Sequence, residues 1–272
     1  MGRYWLTLRR FWGTALAGQL EYQLNVLIDL LAMAANLAGS LFILSLFFIP
    51  ADGSAAGADA VRRLGGWSWE EALVVQGVYT LLDGAASTWL RPNLGAIVTH
   101  VREGTLDFVL LKPIDSQFWL SSRTLAPAGL SEMALGVGLI LWAAPRAGAQ
   151  LQPVALAVAA LMLLAGLVIL YSLWFLLAAS SIWFVKTWNA TEVLRAALTA
   201  GRFPVSAYPP GLRLLLTLVL PVAFLTTVPA EAILGRATPT LVGAALVMAL
   251  VSFSLSRAFW RFALRYYTSA SS

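Results

Sequence analysis

Four of the polar residues that interrupt the long apolar stretches of this sequence could do chemistry: Asn25, Asp29, Asp83 and Glu132. An ionisable side chain in a hydrocarbon environment is costly, so it usually faces a bundle interior or water. Such carboxylates can relay protons or line the path of a polar substrate. They can equally hold helices together through hydrogen bonds. Asn25 and Asp29 are four residues apart and share a helix face, but the sequence leaves both roles open.

Other kinds of chemistry have little support. The chain has no cysteine and one histidine, His100, which excludes a cysteine metal site and a thiolate nucleophile and leaves no zinc cluster. The Gly-x-x-x-x-Gly-Lys-Ser/Thr loop that binds ATP phosphates is absent, and so is the His-Glu-x-x-His pattern of metalloproteases. We therefore expect a protein that is not an enzyme and binds no metal or cofactor itself.

A second group of polar residues is concentrated in the segment REGTLDFVLLKPIDSQFW, residues 102–119. Its charged members, listed in order, are Arg102, Glu103, Asp107, Lys112 and Asp115. Leucine, phenylalanine and isoleucine alternate with them, so the segment is amphipathic. It is either a loop whose charges meet water and lipid headgroups, or a projection that a soluble partner contacts.

The composition decides what surrounds these residues. The chain of 272 residues is 60% hydrophobic and 11% charged, and its mean hydropathy is +0.79. A soluble domain carries about 25% charged residues, so this chain cannot cover a globule with polar side chains. The composition predicts an all-α polytopic membrane protein with a single transmembrane domain over residues 1–272. The net charge of +5 then reflects topology rather than nucleic-acid binding.

A crossing needs about 20 mostly apolar residues. Five stretches meet this requirement: 24–49, 71–90, 125–144, 154–185 and 240–260. The fifth of six crossings is ambiguous. Either residues 212–234 cross, or residues 186–208 cross and 212–234 form a re-entrant hairpin on the outer side. Residues 1–20 combine arginines with aromatic residues at helical spacing, which predicts a helix lying in the bilayer interface.

Lysine and arginine concentrate in alternate loops, and the positive-inside rule then places both termini in the cytoplasm. Residues 92–123, between spans two and three, form a cytoplasmic elbow. We expect Arg91-Pro92-Asn93 to stop span two, a short helix over 94–103 to end at Gly104, and Thr105 to cap a turn through Asp107. Pro113 suits the first turn of a further helix over 114–122.

The segment REGTLDFVLLKPIDSQF resembles the loop between spans two and three of type-2 ABC exporter permeases. The stretches RYWLTLRRFWGTALAGQLEY, NLAGSLF and YPPGLRLLLTLVLPVAFLTTVPAEAILGR extend this resemblance over nearly the whole chain. It implies six spans, an outer re-entrant hairpin before span six, and a coupling helix in the elbow. The matching positions that would contact a cytoplasmic ATPase are Glu103, Gly104, Thr105, Leu106 and Asp107.

The resemblance also implies partners and a location. A separate ABC ATPase would bind ATP and Mg, and a second permease, either the same chain or a sibling, would complete the pathway. The protein would reside in the cytoplasmic (inner) membrane and export a lipid, a drug-like molecule or a peptide. Two other classes remain open: an ion-coupled secondary transporter that uses the buried carboxylates, and a non-transporting membrane scaffold.

Overall fold

The structure is a computed structural model that describes residues 12–13, 23–49, 63–150, 152–184 and 194–268. Within these ranges the chain is helical, and the single β-bridge joins Leu64 to Trp67. The helices are α1 (Gln23–Leu46), α2 (Trp69–Ala85), α3 (Arg91–Arg102), α4 (Asp107–Leu110), α5 (Ser116–Ser122), α6 (Ala128–Arg146), α7 (Pro153–Ala179), α8 (Pro210–Leu214), α9 (Val228–Ile233) and α10 (Pro239–Leu264). The predicted interfacial helix over residues 1–20 lies outside the described residues, apart from Trp12 and Gly13.

Three of the described helices are long and apolar enough to cross a bilayer: α6, α7 with its 3-10 extension to Ile182, and α10. A fourth crossing is possible where the segments Pro210–Val219 and Ala223–Ile233 meet at an angle of 76°. The apolar part of α1, Leu30–Leu46, is shorter than these three helices. The prediction of an all-helical multi-pass membrane protein is therefore confirmed, whereas the count of six spans stays a prediction.

The region of the predicted fifth span is irregular. Residues 185–193 lie outside the described part, and residues 194–198 are helical before two 3-10 turns at Thr199–Arg202 and Val205–Ala207. The stretch 212–234 is helical on both sides of a break that contains Pro221. Proline lacks the N–H group that a continuous helix needs. The described residues of neither alternative form one straight helix.

The prediction that Arg91-Pro92-Asn93 stops span two was wrong. Helix α2 passes through a π-helical turn, Ala86–Leu90, directly into α3, with Pro92 in the first turn of α3. Pro92 has no N–H to donate to the carbonyl of Thr88, four residues earlier. That carbonyl instead accepts a hydrogen bond from the N–H of Ala126 at 2.8 Å. The N–H of Ala126, which lies outside this helix, thus satisfies the Thr88 carbonyl that Pro92 leaves without a helical donor. The helix can therefore continue through Pro92.

Helices α2 and α6 pack closely because glycines face each other at two levels. A Cβ atom added to Gly84 would lie 2.6 Å from the backbone nitrogen of Met133, and one added to Gly136 would lie 2.5 Å from that of Leu81. Gly77 and Gly129 are equally crowded. Small residues at a helix contact let the backbones approach. The two helices therefore form one rigid unit, which carries both Asp83 and Glu132.

Helices α7, α9 and α10 form the other side of the core. Aromatic rings join α7 to α10, with the ring of Phe175 meeting that of Trp260 edge-on at a centroid distance of 5.5 Å. Both side chains are buried. Edge-to-face aromatic pairs stabilise beyond the area that they bury. The C-terminal end of α10 is thus fixed against α7, close to the elbow residues described next.

Candidate functional site

The elbow reverses direction at Gly104, as the sequence predicts. Gly104 has a φ of 69°, the left-handed region that favours glycine. The N–H of Leu106 then donates to the carbonyl of His100 at 3.2 Å, which closes the turn after α3. Leu106 and Val109 point inward and are buried in the main core. The turn is therefore anchored by its own apolar residues.

The expected capping role of Thr105 was wrong. Helix α4 begins without any side-chain cap, and the hydroxyl of Thr105 lies 2.7 Å from Nδ1 of His100. The ring of His100 also lies against Trp119, at a centroid distance of 6.3 Å. Burial, together with the nearby charge of Arg123, lowers the pKa of His100 below its ordinary value. His100 thus makes a structural contact inside the elbow.

The opposite face of the elbow is exposed and mixed in character. Arg102, Glu103 and Lys112 are exposed, while Phe108 is 69% and Leu111 is 81% exposed. Asp107 is half-buried and lies near Tyr267. The pKa of the Tyr267 hydroxyl is raised, mainly by burial and also by the Asp107 carboxylate. Exposed apolar residues with a polar rim are typical of a protein-binding surface.

The helix predicted over residues 114–122 begins later than expected, at Ser116. Asp115 is its N-cap, and a carboxylate oxygen of Asp115 accepts from the N–H of Phe118 at 2.9 Å. The same carboxylate forms a two-pronged ion pair with Arg257 on α10, with one N–O distance of 2.8 Å. The Arg257 hydrogen bond holds the pKa of Asp115 below its ordinary value, against the opposing effect of burial.

Two further contacts join the start of α5 to the core. The indole N–H of Trp260 donates to the hydroxyl of Ser116 at 3.0 Å, and the amide of Gln117 donates to the hydroxyl of Tyr171 at 3.0 Å. Helix α5 is therefore attached to both α10 and α7. Movement of the elbow would pull directly on two of the helices that can cross the membrane.

A second group of polar residues lies within the bundle. The carboxylate of Asp83 is ion-paired with Arg91, and the hydroxyl of Ser87 donates to Glu132 at 3.2 Å while it accepts from Arg91 at 2.7 Å. These side chains line a polar cavity of about 300 Å³ together with Asn36, Gln76, Thr80, Arg195, Thr199 and Arg202. The structure thus unites Asp83 and Glu132, which the sequence presented as separate features.

Asn25 and Asp29 lie in the first two turns of α1, and their side chains fall outside the described part of the structure. The sequence interpretation missed Ser87 and Arg91 as partners, although a signal was present. Asp83, Ser87 and Arg91 follow one another at intervals of four residues, which places them on one helix face. Arg257 had no such signal because its partner Asp115 is 142 residues away.

The fold and the elbow define a class: a helical, multi-pass membrane protein with a compact, mixed-polarity turn beside its spanning helices. The family model of the ABC-2 family transporter protein matches residues 31–271. The chain belongs to this family, whose members are the membrane components of transporters that work with an ABC ATPase. This confirms the resemblance to type-2 ABC permeases. No curated protein and no solved structure gives a significant match.

Proposed function

We propose that this chain is the membrane subunit of an exporter in the cytoplasmic membrane, driven by a separate ABC ATPase that docks on the elbow. The pathway would be completed by a second permease, either the same chain or a sibling. Six crossings per chain, both termini in the cytoplasm and an outer hairpin over 212–234 belong to the proposal. ATP and Mg would bind to the ATPase.

The exposed face of the elbow carries the proposal. Phe108 and Leu111 are two exposed apolar side chains, and Glu103 is an exposed acidic group of the same elbow. Buried apolar anchors with a charged rim are what a specific protein interface requires. Gly104 and Leu106, also among the matching positions, would act indirectly: Gly104 permits the turn, and the buried Leu106 holds it against the core. Thr105 would hold the turn through His100, and the half-buried Asp107 would lie at the rim.

The attachments of α5 supply a route for the movement. Closure of an ATPase dimer would push the elbow, and the contacts of Asp115, Ser116 and Gln117 would pass the displacement to α10 and α7. A small displacement at one site becomes a larger rearrangement when packed helices shift as rigid bodies. The spans would then alternate between inward and outward access.

The polar cavity around Asp83 and Glu132 is the proposed place for a polar part of the cargo. The assignment of Asn25 and Asp29 to the same path stays a prediction from the sequence. The cavity combines guanidinium groups and carboxylates, so it suits a molecule with polar or charged groups among lipids. The class of cargo, whether lipid, drug-like molecule or peptide, is part of the proposal only at this level.

A test co-expresses this chain with a candidate ABC ATPase from the same genome. Co-expression should yield a complex with vanadate-sensitive ATP hydrolysis. Reversing both acidic groups (Glu103→Lys with Asp107→Lys) should weaken binding of the ATPase by about tenfold or more. A matched charge reversal, Arg146→Glu, alters an exposed residue at the far end of α6 and should leave the complex intact. If the elbow variant assembles and hydrolyses ATP as the native chain does, the docking assignment is wrong.

One observation favours an ion-coupled transporter as a second candidate. Asp83 and Glu132 form a linked carboxylate pair with Ser87 and Arg91 inside the bundle, as proton-driven transport would require. The two candidates differ in their source of energy. Purified chain in vesicles that transports cargo along a proton gradient, with no ATPase present, would establish the second and reject the first.

A further inference from the structure

Among the described residues that line the polar cavity, arginines outnumber acids. The arginines are Arg91, Arg195 and Arg202, and the acids are Asp83 and Glu132. The ion pair with Asp83 balances the charge of Arg91. Both acids belong to α2 and α6, whereas Arg195 and Arg202 come from the irregular region of the predicted fifth span. The acids and these two arginines therefore lie on different walls of the cavity.

Arg202 has only neutral partners among the described residues. Its guanidinium donates to the side-chain oxygen of Asn36 on α1 at 3.2 Å, and it lies over the ring of Tyr79 on α2, 5.0 Å from the centroid. A charged side chain between membrane helices is costly unless another charge or water faces it. The two neutral contacts orient the guanidinium, but they leave its positive charge without a counterion. A negatively charged ligand would supply one.

The turn that carries Arg202 is held in place on both sides. Gly201 is buried, and a Cβ atom added there would lie 3.0 Å from Cγ1 of Val222. The ring of Phe203 meets that of Phe47 edge-on, with 5.7 Å between the centroids. These contacts fix the backbone of Arg202. A group that is already positioned loses less freedom when a ligand binds, so more of the interaction appears as affinity.

The hydroxyl groups of two threonines in the cavity already donate their hydrogen bonds locally. Thr80 donates to the carbonyl of Gln76 at 2.9 Å, and Thr199 donates to the carbonyl of Ala196. A hydroxyl has one hydrogen to donate, so a ligand that accepts hydrogen bonds finds stronger donors in the guanidinium groups. The planar guanidinium presents two parallel N–H groups that match the oxygens of a carboxylate or a phosphate. The donors of the cavity therefore favour an oxyanion.

We propose that the polar cavity binds an oxyanion, a phosphate or a carboxylate, and that Arg202 makes the direct contact. The inference rests on the proposed export function, because it assigns a negative charge to the cargo that this cavity would receive. Asp83 and Glu132 repel an anion from their own wall, which directs it to the wall of Arg202. The volume of about 300 Å³ is at the small end of ligand sites, so it suits one charged group of a larger molecule.

Equilibrium binding of radiolabelled dodecyl phosphate to the purified chain, in a neutral detergent, tests the site. Arg202→Gln removes the charge and should weaken binding about tenfold or more, because a hydrogen bond to a charged group is lost. Arg202→Lys keeps the charge without the paired N–H groups and should weaken binding less. Arg146→Gln is the matched control. It removes an exposed guanidinium that lies over Trp142, outside the cavity, and should bind as the native chain does.

Competing ligands identify the charge and the source of the occupant. Unlabelled dodecanoate should displace dodecyl phosphate from the native chain, whereas dodecyltrimethylammonium, of opposite charge and equal chain length, should not. Displacement by inorganic phosphate at similar concentrations would support the site with a free ion as its source. A requirement for the alkyl chain would support the same site with a membrane amphiphile as its source.

Two results would overturn the proposal. The first is equal affinity in the native chain, Arg202→Gln and Arg146→Gln, including the case in which Arg202→Gln lowers only the thermal midpoint, as a purely structural arginine would. The second is displacement by the cationic amphiphile as readily as by the anionic one. This competition uses the native chain alone, so it decides the question even where Arg202→Gln does not fold.

The outcome is separate from the test of ATPase docking at the elbow. Oxyanion binding by a chain that no ATPase contacts would reject the proposed export function and leave the site in place. An ATPase that docks on the elbow of a chain without oxyanion binding would reject this inference alone.

Discussion

Asp115 and Arg257 form a two-pronged ion pair although 142 residues separate them along the chain. Asp115 is also the N-cap of α5, so one carboxylate both begins the helix that leaves the elbow and binds that helix to α10. Charge-assisted, two-pronged contacts fix geometry more firmly than single hydrogen bonds. The relationship makes the elbow and the last spanning helix parts of one mechanical unit.

Replacing Asp115 by Asn should separate these two roles. Asparagine is a good N-cap, so α5 should persist while the ion pair is lost. Both side chains are about one-third exposed, and we expect a loss of about 1 kcal/mol in the free energy of unfolding. The variant should still bind the ATPase, but transport per ATP hydrolysed should fall. Transport in vesicles that is coupled as tightly as in the native chain would refute this role.

The control for this variant is Asp115→Ala, which removes the cap as well as the charge. It should lose a further amount of about 1 kcal/mol. If the two variants have equal stability, the cap contributes nothing. Lower pH provides an independent check, because a lowered pKa means that the pair stabilises the fold above the ordinary value of 3.8 and loses this effect as pH falls below it.

A second prediction concerns the elbow surface. Phe108→Ala and Leu111→Ala remove exposed apolar groups, so each should weaken ATPase binding about tenfold while leaving the stability of the chain nearly unchanged. Leu106→Ala should do the opposite: it leaves a cavity in the core and should cost about 3 kcal/mol of stability. Binding titrations and thermal unfolding of the same preparations distinguish the two effects. Equal behaviour of Leu106 and Leu111 would contradict the assignment.

The sequence predicted the class of fold and the turn at Gly104 well because both depend on local composition. Hydrophobic length located the helices to within a few residues, and Gly104 ended α3 because only glycine adopts that turn readily. The predictions from the sequence were wrong where residues far apart along the chain form hydrogen bonds. Pro92 did not stop the helix because the N–H of Ala126 satisfies the carbonyl of Thr88, and no local pattern reveals that contact.

The candidate site was predictable in part for the same reason. The spacing of Asp83, Ser87 and Arg91 was present in the sequence, but their union with Glu132 depends on the glycines that bring α2 against α6. Similarly, Thr105 was assigned to a cap by its position in the sequence. In the structure, the hydroxyl of Thr105 contacts the ring of His100 instead.

The glycine contact itself gives a third prediction. Gly84→Ala should force α2 and α6 apart, because the new Cβ would lie 2.6 Å from the backbone of Met133, and it should cost about 2 kcal/mol of stability. Gly138→Ala is the matched control, since nothing lies within 4 Å of a Cβ at that position in α6. It should be neutral or slightly stabilising. Thermal unfolding in detergent measures both, and equal effects would exclude close packing at Gly84.

The ion pair of Asp83 and Arg91 gives a fourth prediction. Asp83→Asn leaves the guanidinium of Arg91 without its charged partner inside the bundle and should cost about 3 kcal/mol. The double variant Asp83→Asn with Arg91→Gln should recover much of this loss. If the recovered protein exports its cargo with ATP at the native rate, the pair is a packing element. Loss of transport at restored stability would place it on the pathway.

The last prediction concerns His100, the one histidine of the chain. Burial and the charge of Arg123 lower its pKa in the folded protein below the ordinary value of 6.5. As pH falls, the unfolded chain therefore binds the proton first, so the stability contributed by neutral His100 is present above pH 6.5 and is lost below it. The thermal midpoint of the native chain should thus fall between pH 7.5 and pH 5.5. His100→Gln, which keeps a polar group near Thr105 without titrating, should show a smaller fall over the same range. A tag without histidine is needed for both proteins. Identical pH dependence in the two would show that protonation of His100 does not lower the stability of the fold.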